Sequence, residues 1–182
     1  MTARSAILLP VAALALILAP WSAAAQENPF QIALVGPTIQ LVDDDEDIRG
    51  IRLNILYGVN ENVSGLDFGL INHTNGDMTG FELGAVNVTD GDFYGWQAGL
   101  VNLIQGDLTG IQFSGGAIAN LAAGVEGAQI AWGFNRASAI RGFQLSLVNV
   151  ADDMHGIQVG LINIIRSKRD FPVLPLVNWK FD

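Results

Sequence analysis

Residues 65–109 decide the fold. GLDFGLINHTNGDMT (65–79), GFELGAVNVTDGDFY (80–94) and GWQAGLVNLIQGDLT (95–109) are successive copies of one 15-residue unit. A glycine followed by an apolar, polar, apolar triplet opens each copy, and the same opening recurs outward at Gly50, Gly110, Gly127, Gly142 and Gly156, with the spacing drifting after Gly110. Self-similarity at a fixed short period is the signature of a repeat architecture whose units bury their faces against their neighbours.

A shorter period runs inside the unit. Asp67, Asn72, Asp77, Glu82, Asn87, Asp92, Gln97, Asn102, Asp107 and Gln112 fall five residues apart without a gap, flanked mainly by apolar residues or glycine. Side chains of a strand alternate between faces with period two, so a straight strand puts Asp67 and Asn72 on opposite sides. In a membrane barrel that places every second polar residue against lipid, where it is costly. Short strands joined by corners avoid the conflict. The expected class is therefore all-β, a β-solenoid of tandem 15-residue repeats, with a small outer-membrane β-barrel as the alternative. Enrichment in Val, Ile, Leu and Phe beside Gly, Asn and Asp fits strands alternating with corners.

On this reading each polar residue points out and its apolar neighbours fill the interior. The expected interaction face is Asp67, Glu82, Asn87, Gln97, Asn102 and Gln112. Whether a coil takes three pentads or four stays open: three would stack Asn72, Asn87 and Asn102 as an amide ladder about 4.8 Å apart, but would also align Asp77, Asp92 and Asp107. Aligned aspartates could hold cations along one face. The segment from Gly115 to Val125 lacks the polar position, so a bulge is expected there.

The pentad pattern resembles the pentapeptide-repeat β-helix. The longer GLQxGLVN-like unit is similar to a group of bacterial exported surface-repeat proteins of unknown function, on the strength of residues 51–60, the units from Gly65 to Gly110 and the proline-aromatic ending Phe171 to Phe181. That resemblance covers most of the chain and implies a surface or envelope location. It brings no catalytic residue with it.

The N-terminus supports export. Arg4, an apolar run over 6–19 and the small residues Ser22-Ala-Ala-Ala25 follow the order of a secretory signal peptide, with cleavage expected after Ala25. The run is shorter than the roughly 18 residues a membrane-spanning helix requires. The expected organisation is a signal peptide (1–25), an N-terminal segment with the acidic run Asp43–Asp47 (26–49), a β-repeat domain (50–166) and a capping strand (167–182). The destination is the outer membrane or cell surface, or alternatively the periplasm.

Composition narrows function further. The chain has no cysteine, which excludes disulfides, thiolate metal sites, cysteine nucleophiles and a lipid-modified N-terminal cysteine. A formal charge of −9 argues against nucleic acid and anionic lipid. No G-x-S-x-G, H-E-x-x-H or phosphate-loop pattern occurs, so no catalytic, cofactor or metal residue is assigned and the protein is expected not to be an enzyme. The acidic run 43–47 lacks the glycine and ligand spacing of a calcium loop. His73 and His155 have no partner at a ligand spacing, and His73 is expected to be packed or partly buried. The N-x-S/T triplets at Asn62, Asn72 and Asn87 follow from the repeat itself.

Two further features bear on partners. Trp96, Trp132, Trp179, Phe93, Tyr94 and Phe113 are expected mainly to fill the core, the other reading being a sugar-binding stripe. Leu70, Ala85 and Leu100 fall at corners, where an exposed apolar row would contact an envelope partner, a second copy or a membrane. The ending Leu176-Val-Asn-Trp-Lys-Phe181 alternates like an outer-membrane β-signal, or else caps the open end of a solenoid.

Overall fold

The computed structural model describes residues 28–115 and 118–181. The expected signal peptide (1–25) lies outside the described residues. The strands are β1 (Asn28–Val35), β2 (Ile39–Gln40), β3 (Ile48–Asn60), β4 (Val63–Thr74), β5 (Met78–Thr89), β6 (Phe93–Ala98), β7 (Val101–Ile104), β8 (Asp107–Ser114), β9 (Ala119–Ala131), β10 (Phe134–Leu145), β11 (Val148–Ile165) and β12 (Val173–Lys180).

From β3 to β11 each turn pairs in parallel with the next. Gly65 lies opposite Gly80, Gly80 opposite Gly95, and Gly95 opposite Gly110, so one turn takes 15 residues, or three pentads. Parallel pairing of successive turns makes a β-solenoid. An outer-membrane barrel would need antiparallel neighbours closing on themselves, so the barrel alternative is set aside. The turn lengthens once, with Gly110 opposite Gly127, and the extra residues fall between β8 and β9. The polar position expected to be missing there is filled by Asn120, opposite Asn102.

The opening glycines stack in a column for a steric reason. Gly95 has φ near 137°, and a Cβ there would sit 2.0 Å from the carbonyl oxygen of Gly80, one turn back. Gly65, Gly80, Gly110, Gly127 and Gly142 repeat that geometry. Only a residue without Cβ holds this backbone conformation and this approach together.

Within β4 the two-residue alternation slips at Gly69–Leu70–Ile71, so that Asp67 and Asn72 both point inward. The chain turns there and again at Asn75–Gly76–Asp77. Each turn thus has two flat sheet faces joined by two corners. Ile48, Val63, Met78, Phe93, Leu108, Val125, Ile140 and Met154 form a dry column behind the second corner, beside Ile104, Ala137, Ala151 and Ile165.

The ends are closed differently. β1 continues the parallel stack onto β3 and folds back through the short antiparallel β2. At the other end β12 runs antiparallel to β11, with Asn178 opposite Gln158. The C-terminal alternation is therefore a cap in this fold.

Candidate functional surface

The polar residues expected to form an outward face are inside. Asp67, Glu82, Asn87, Gln97, Asn102 and Gln112 are all fully buried, which overturns their placement as a surface for partners. Hydrogen bonding explains the inversion. Buried amides are costly only when unpaired, and a turn of constant length sets each against its own kind.

Two ladders result. Asn72 donates from Nδ2 to Asn87 Oδ1 at 3.0 Å, Asn87 to Asn102 at 2.8 Å, Asn102 to Asn120 at 2.8 Å and Asn120 to Asn135 at 3.0 Å. The second Nδ2 hydrogen finds a main-chain carbonyl, as from Asn87 to Ala98 O at 2.7 Å. Across the interior Gln112 donates to Gln97, Gln129 to Gln112, Gln144 to Gln129 and Gln158 to Gln144, all within 2.7–2.9 Å.

The glutamine ladder begins with charge. Arg52 donates to both oxygens of Asp67, at 3.0 and 2.6 Å, and to Thr74 Oγ1 at 3.0 Å. Glu82 follows Asp67 and takes a 2.7 Å bond from Gln97. Burial first, and the neighbouring Asp67 charge second, hold the Glu82 carboxyl well above the usual carboxylate range. As a carboxylate it would leave Oε1 unpartnered, whereas a protonated Glu82 can donate to Asp67.

With the amides inside, the alternating apolar residues face out. The first face carries Leu66, Leu83, Trp96, Ile111, Phe113 and Leu145, all exposed, with Phe68 and Phe81 half-buried beside them. Phe68, Phe81 and Trp96 form a ring ladder with centroids 5.9 Å apart. Of the corner row, Leu70 and Leu100 are exposed as expected and Ala85 between them is half-buried; the row continues through the exposed Trp132, Leu147 and Leu161. Core filling by aromatics holds for Phe93 alone of those considered. Tyr94, Trp96, Phe113, Trp132 and Trp179 are all exposed.

A groove of about 690 Å³ runs across successive turns where the first face meets this corner. Buried Ser114, Ala131 and Ser146 line its floor together with Gly160, and exposed Leu145, Trp132 and Leu147 line it nearer the surface. Both floor hydroxyls are already engaged. Ser114 donates to Leu100 O at 2.6 Å, and Ser146 Oγ lies 2.7 Å from Val148 O. The groove therefore offers shape and apolar contact but little hydrogen bonding.

The opposite corner holds the charge. Asp77 Oδ1 accepts the amide N–H of Asp92, and Asp92 Oδ1 that of Asp107, each at 2.8 Å. The aligned aspartates thus cap the next turn's backbone. Among the described residues no cluster of three or more His, Asp or Glu could hold a metal ion. In the acidic run, Asp47 Oδ1 accepts from Asn62 Nδ2 at 2.9 Å. Farther along, Arg136 and Arg166 both pair with Asp152, and Lys180 with Asp153. The hydrogen bond from Arg136 lowers the Asp152 carboxyl, and those from Ser167 and Lys180 lower Asp153.

Sequence spacing misses one constellation. His73 is partly buried, with Nδ1 2.9 Å from Tyr57 Oη and Nε2 3.2 Å from Asp90 Oδ2, so three turns meet through it. Burial raises the Tyr57 hydroxyl above its ordinary value. The group ties neighbouring turns on an outer face. His155 lies exposed, its ring edge-on to Phe181 at 5.7 Å.

No family model, curated protein or solved structure matches the chain.

Proposed function

We propose that the protein is a noncatalytic component of the bacterial envelope, exported by its N-terminal segment and acting through the apolar exterior of an amide-filled solenoid. The observation that carries this reading is the inversion itself. A protein that spends its life in water hides large apolar side chains, and contiguous exposed apolar surface marks a place of contact. Here Leu66, Leu83, Trp96, Ile111 and Leu145 line one face, and Leu70, Leu100 and Leu147 the adjoining corner. The resemblance to exported surface-repeat proteins and the leader-like residues 1–25 support the same location.

A sugar-binding role suits this surface less well. Saccharide sites combine an aromatic platform with hydrogen-bonding side chains, and the neighbours of Trp96 on its face are Phe81, Ile111 and Ala98. The test is fractionation of producing cells with protease shaving and a carbonate wash. The reading expects the protein in the envelope fraction, retained after carbonate and released by detergent. Recovery in the cytoplasmic fraction, or complete release by a salt wash, contradicts it.

A further inference from the structure

We propose that the solenoid lies along a lipid bilayer with its apolar corner sunk into one leaflet, and that the groove beside Trp132 seats an acyl chain. The inference rests on the envelope reading for the membrane it requires. It goes further in naming the occupant of the surface, the edge that enters and the depth.

Depth is the first argument. From the corner at Leu70 the first face runs outward through Phe68 and Leu66, and the first outward polar side chain is Ser64. At about 3.3 Å per residue the apolar stretch from Leu70 to Leu66 spans about 13 Å and Ser64 stands about 20 Å from the corner. The second face runs through Ile71 and His73 to Asn75, about 17 Å from Leu70. One leaflet offers about 15 Å of hydrocarbon, half of the roughly 30 Å core. Apart from His73, whose two ring nitrogens are engaged by Tyr57 and Asp90, polar side chains thus begin where headgroups would.

Charge distribution is the second. On the neighbouring turns the positions equivalent to Ser64 and Asn75 carry Thr79, Tyr94 and Thr109 on one side and Asp90 and Gln105 on the other. Between these rims, from Gly65 to Ile164, Arg136 is the one outward Asp, Glu, Lys or Arg on either face among the described residues. It stands next to the rim and pairs with Asp152 at 2.9 Å. A wedge whose one charge is paired, below a polar collar, is complementary to acyl chains below water. The acidic corner, facing away, needs no anionic headgroup.

The third argument separates lipid from a second copy. A partner protein covers one face, but here both faces and the corner between them are apolar, so a flat partner leaves a side exposed. A fluid that wraps all three covers the whole. The groove fits the same occupant, because its floor hydroxyls are spent internally and its length across the turns from Ser114 to Gly160 is about 14 Å, three intervals of roughly 4.8 Å.

The experiment mixes the protein purified from producing cells with vesicles of phosphatidylcholine, removes detergent, and floats the vesicles on a density gradient. A second set of vesicles carries bromine on the acyl chains, either near the headgroup or near the tail end, to quench tryptophan. The expected result is flotation, with tail-end bromine quenching a signal that Trp132→Phe removes and headgroup-side bromine quenching a signal that Trp96→Phe removes. A Leu100→Asp, Leu147→Asp double variant with an unchanged β-type circular dichroism spectrum should lower the bound fraction at least about tenfold. Asp92→Asn should float like the parent.

Protein that stays at the bottom of the gradient as a soluble dimer overturns the inference, as does quenching of Trp132 and Trp96 at equal depth. Either outcome together with carbonate-resistant envelope location in cells would leave the envelope reading standing. The quenching arm reads the parent chain, so a double variant that fails to fold does not remove the test.

Discussion

Asp67 and Glu82 face each other across adjacent turns, both fully buried, and of the two carboxyls the Arg52 guanidinium bonds Asp67. One cation therefore serves two carboxyls. The second is pushed toward its neutral form by burial and by its neighbour, in a column that is otherwise glutamine from Gln97 to Gln158.

Replacing Glu82 by Gln should stabilise the fold at neutral pH by about 1–3 kcal/mol, because an amide donates to Asp67 and accepts from Gln97 without a proton to hold. The sign with pH follows from the raised folded value. Glu82 contributes its full stability below its unfolded value near 4.5, and that contribution is lost as pH rises toward the folded one. Denaturation midpoints between pH 4 and 8 should fall with pH in the parent more steeply than in the variant. Equal slopes would show that Glu82 is ionised in the fold.

Asp67→Asn should be among the most damaging single changes, at about 3–5 kcal/mol, since it leaves Arg52 buried without a counter-charge. Arg52→Gln with Asp67→Asn should recover much of that loss by extending the amide column. Urea denaturation of the single and double variants checks both statements. No recovery in the double variant would mean that the pair is held by its charge.

Asn102→Leu removes an acceptor for Asn87 and a donor for Asn120, at an expected cost of about 2–4 kcal/mol for two broken buried bonds. Asn102→Asp should cost more, because a carboxylate can take the Asn87 bond but cannot donate to Asn120 or to Phe113 O. Thermal unfolding followed by circular dichroism ranks the two. A neutral effect in both would contradict an amide ladder.

Gly95→Ala should break local pairing, since the new Cβ would stand 2.0 Å from Gly80 O at a φ that L residues rarely adopt. The expected cost exceeds about 3 kcal/mol, with faster amide hydrogen exchange in β5, β6 and β8. Exchange rates unchanged from the parent would rule out the column geometry.

The solenoid was legible in the glycines at 65, 80, 95 and 110, and the corner in the five-residue step from Asp67 to Asn72. The length of the turn was not, because aligned Asp77, Asp92 and Asp107 weighed against three pentads, whereas in the fold Asp77 and Asp92 accept the N–H groups of the next turn. Nor was the direction of the side chains. Alternation separates two sets of residues but does not say which set is inside, and the choice of polar outside assumes that water surrounds the molecule. The signal that points the other way lies in residue type: Asn72, Asn87, Asn102, Asn120, Asn135, Asn149 and Asn163 are all the same amide. A solvated row has no reason to avoid Lys and Glu, whereas a buried ladder needs a side chain that both donates and accepts at every step. The Tyr57–His73–Asp90 contact was hidden because its members are 16 and 17 residues apart, one turn plus an offset.

The most direct test of the inside-out arrangement uses the absence of cysteine from the chain. Single cysteines at Leu83 and Ile111, on the outside, and at Gln97 and Gln112, inside, would be challenged with N-ethylmaleimide, which is small and neutral enough to reach a detergent-covered surface. The expected result is rapid modification of Leu83→Cys and Ile111→Cys in the folded protein, with Gln97→Cys and Gln112→Cys protected until denaturant is added. Protection at 83 and 111 with free reaction at 97 and 112 would put the amides on the surface and contradict the account.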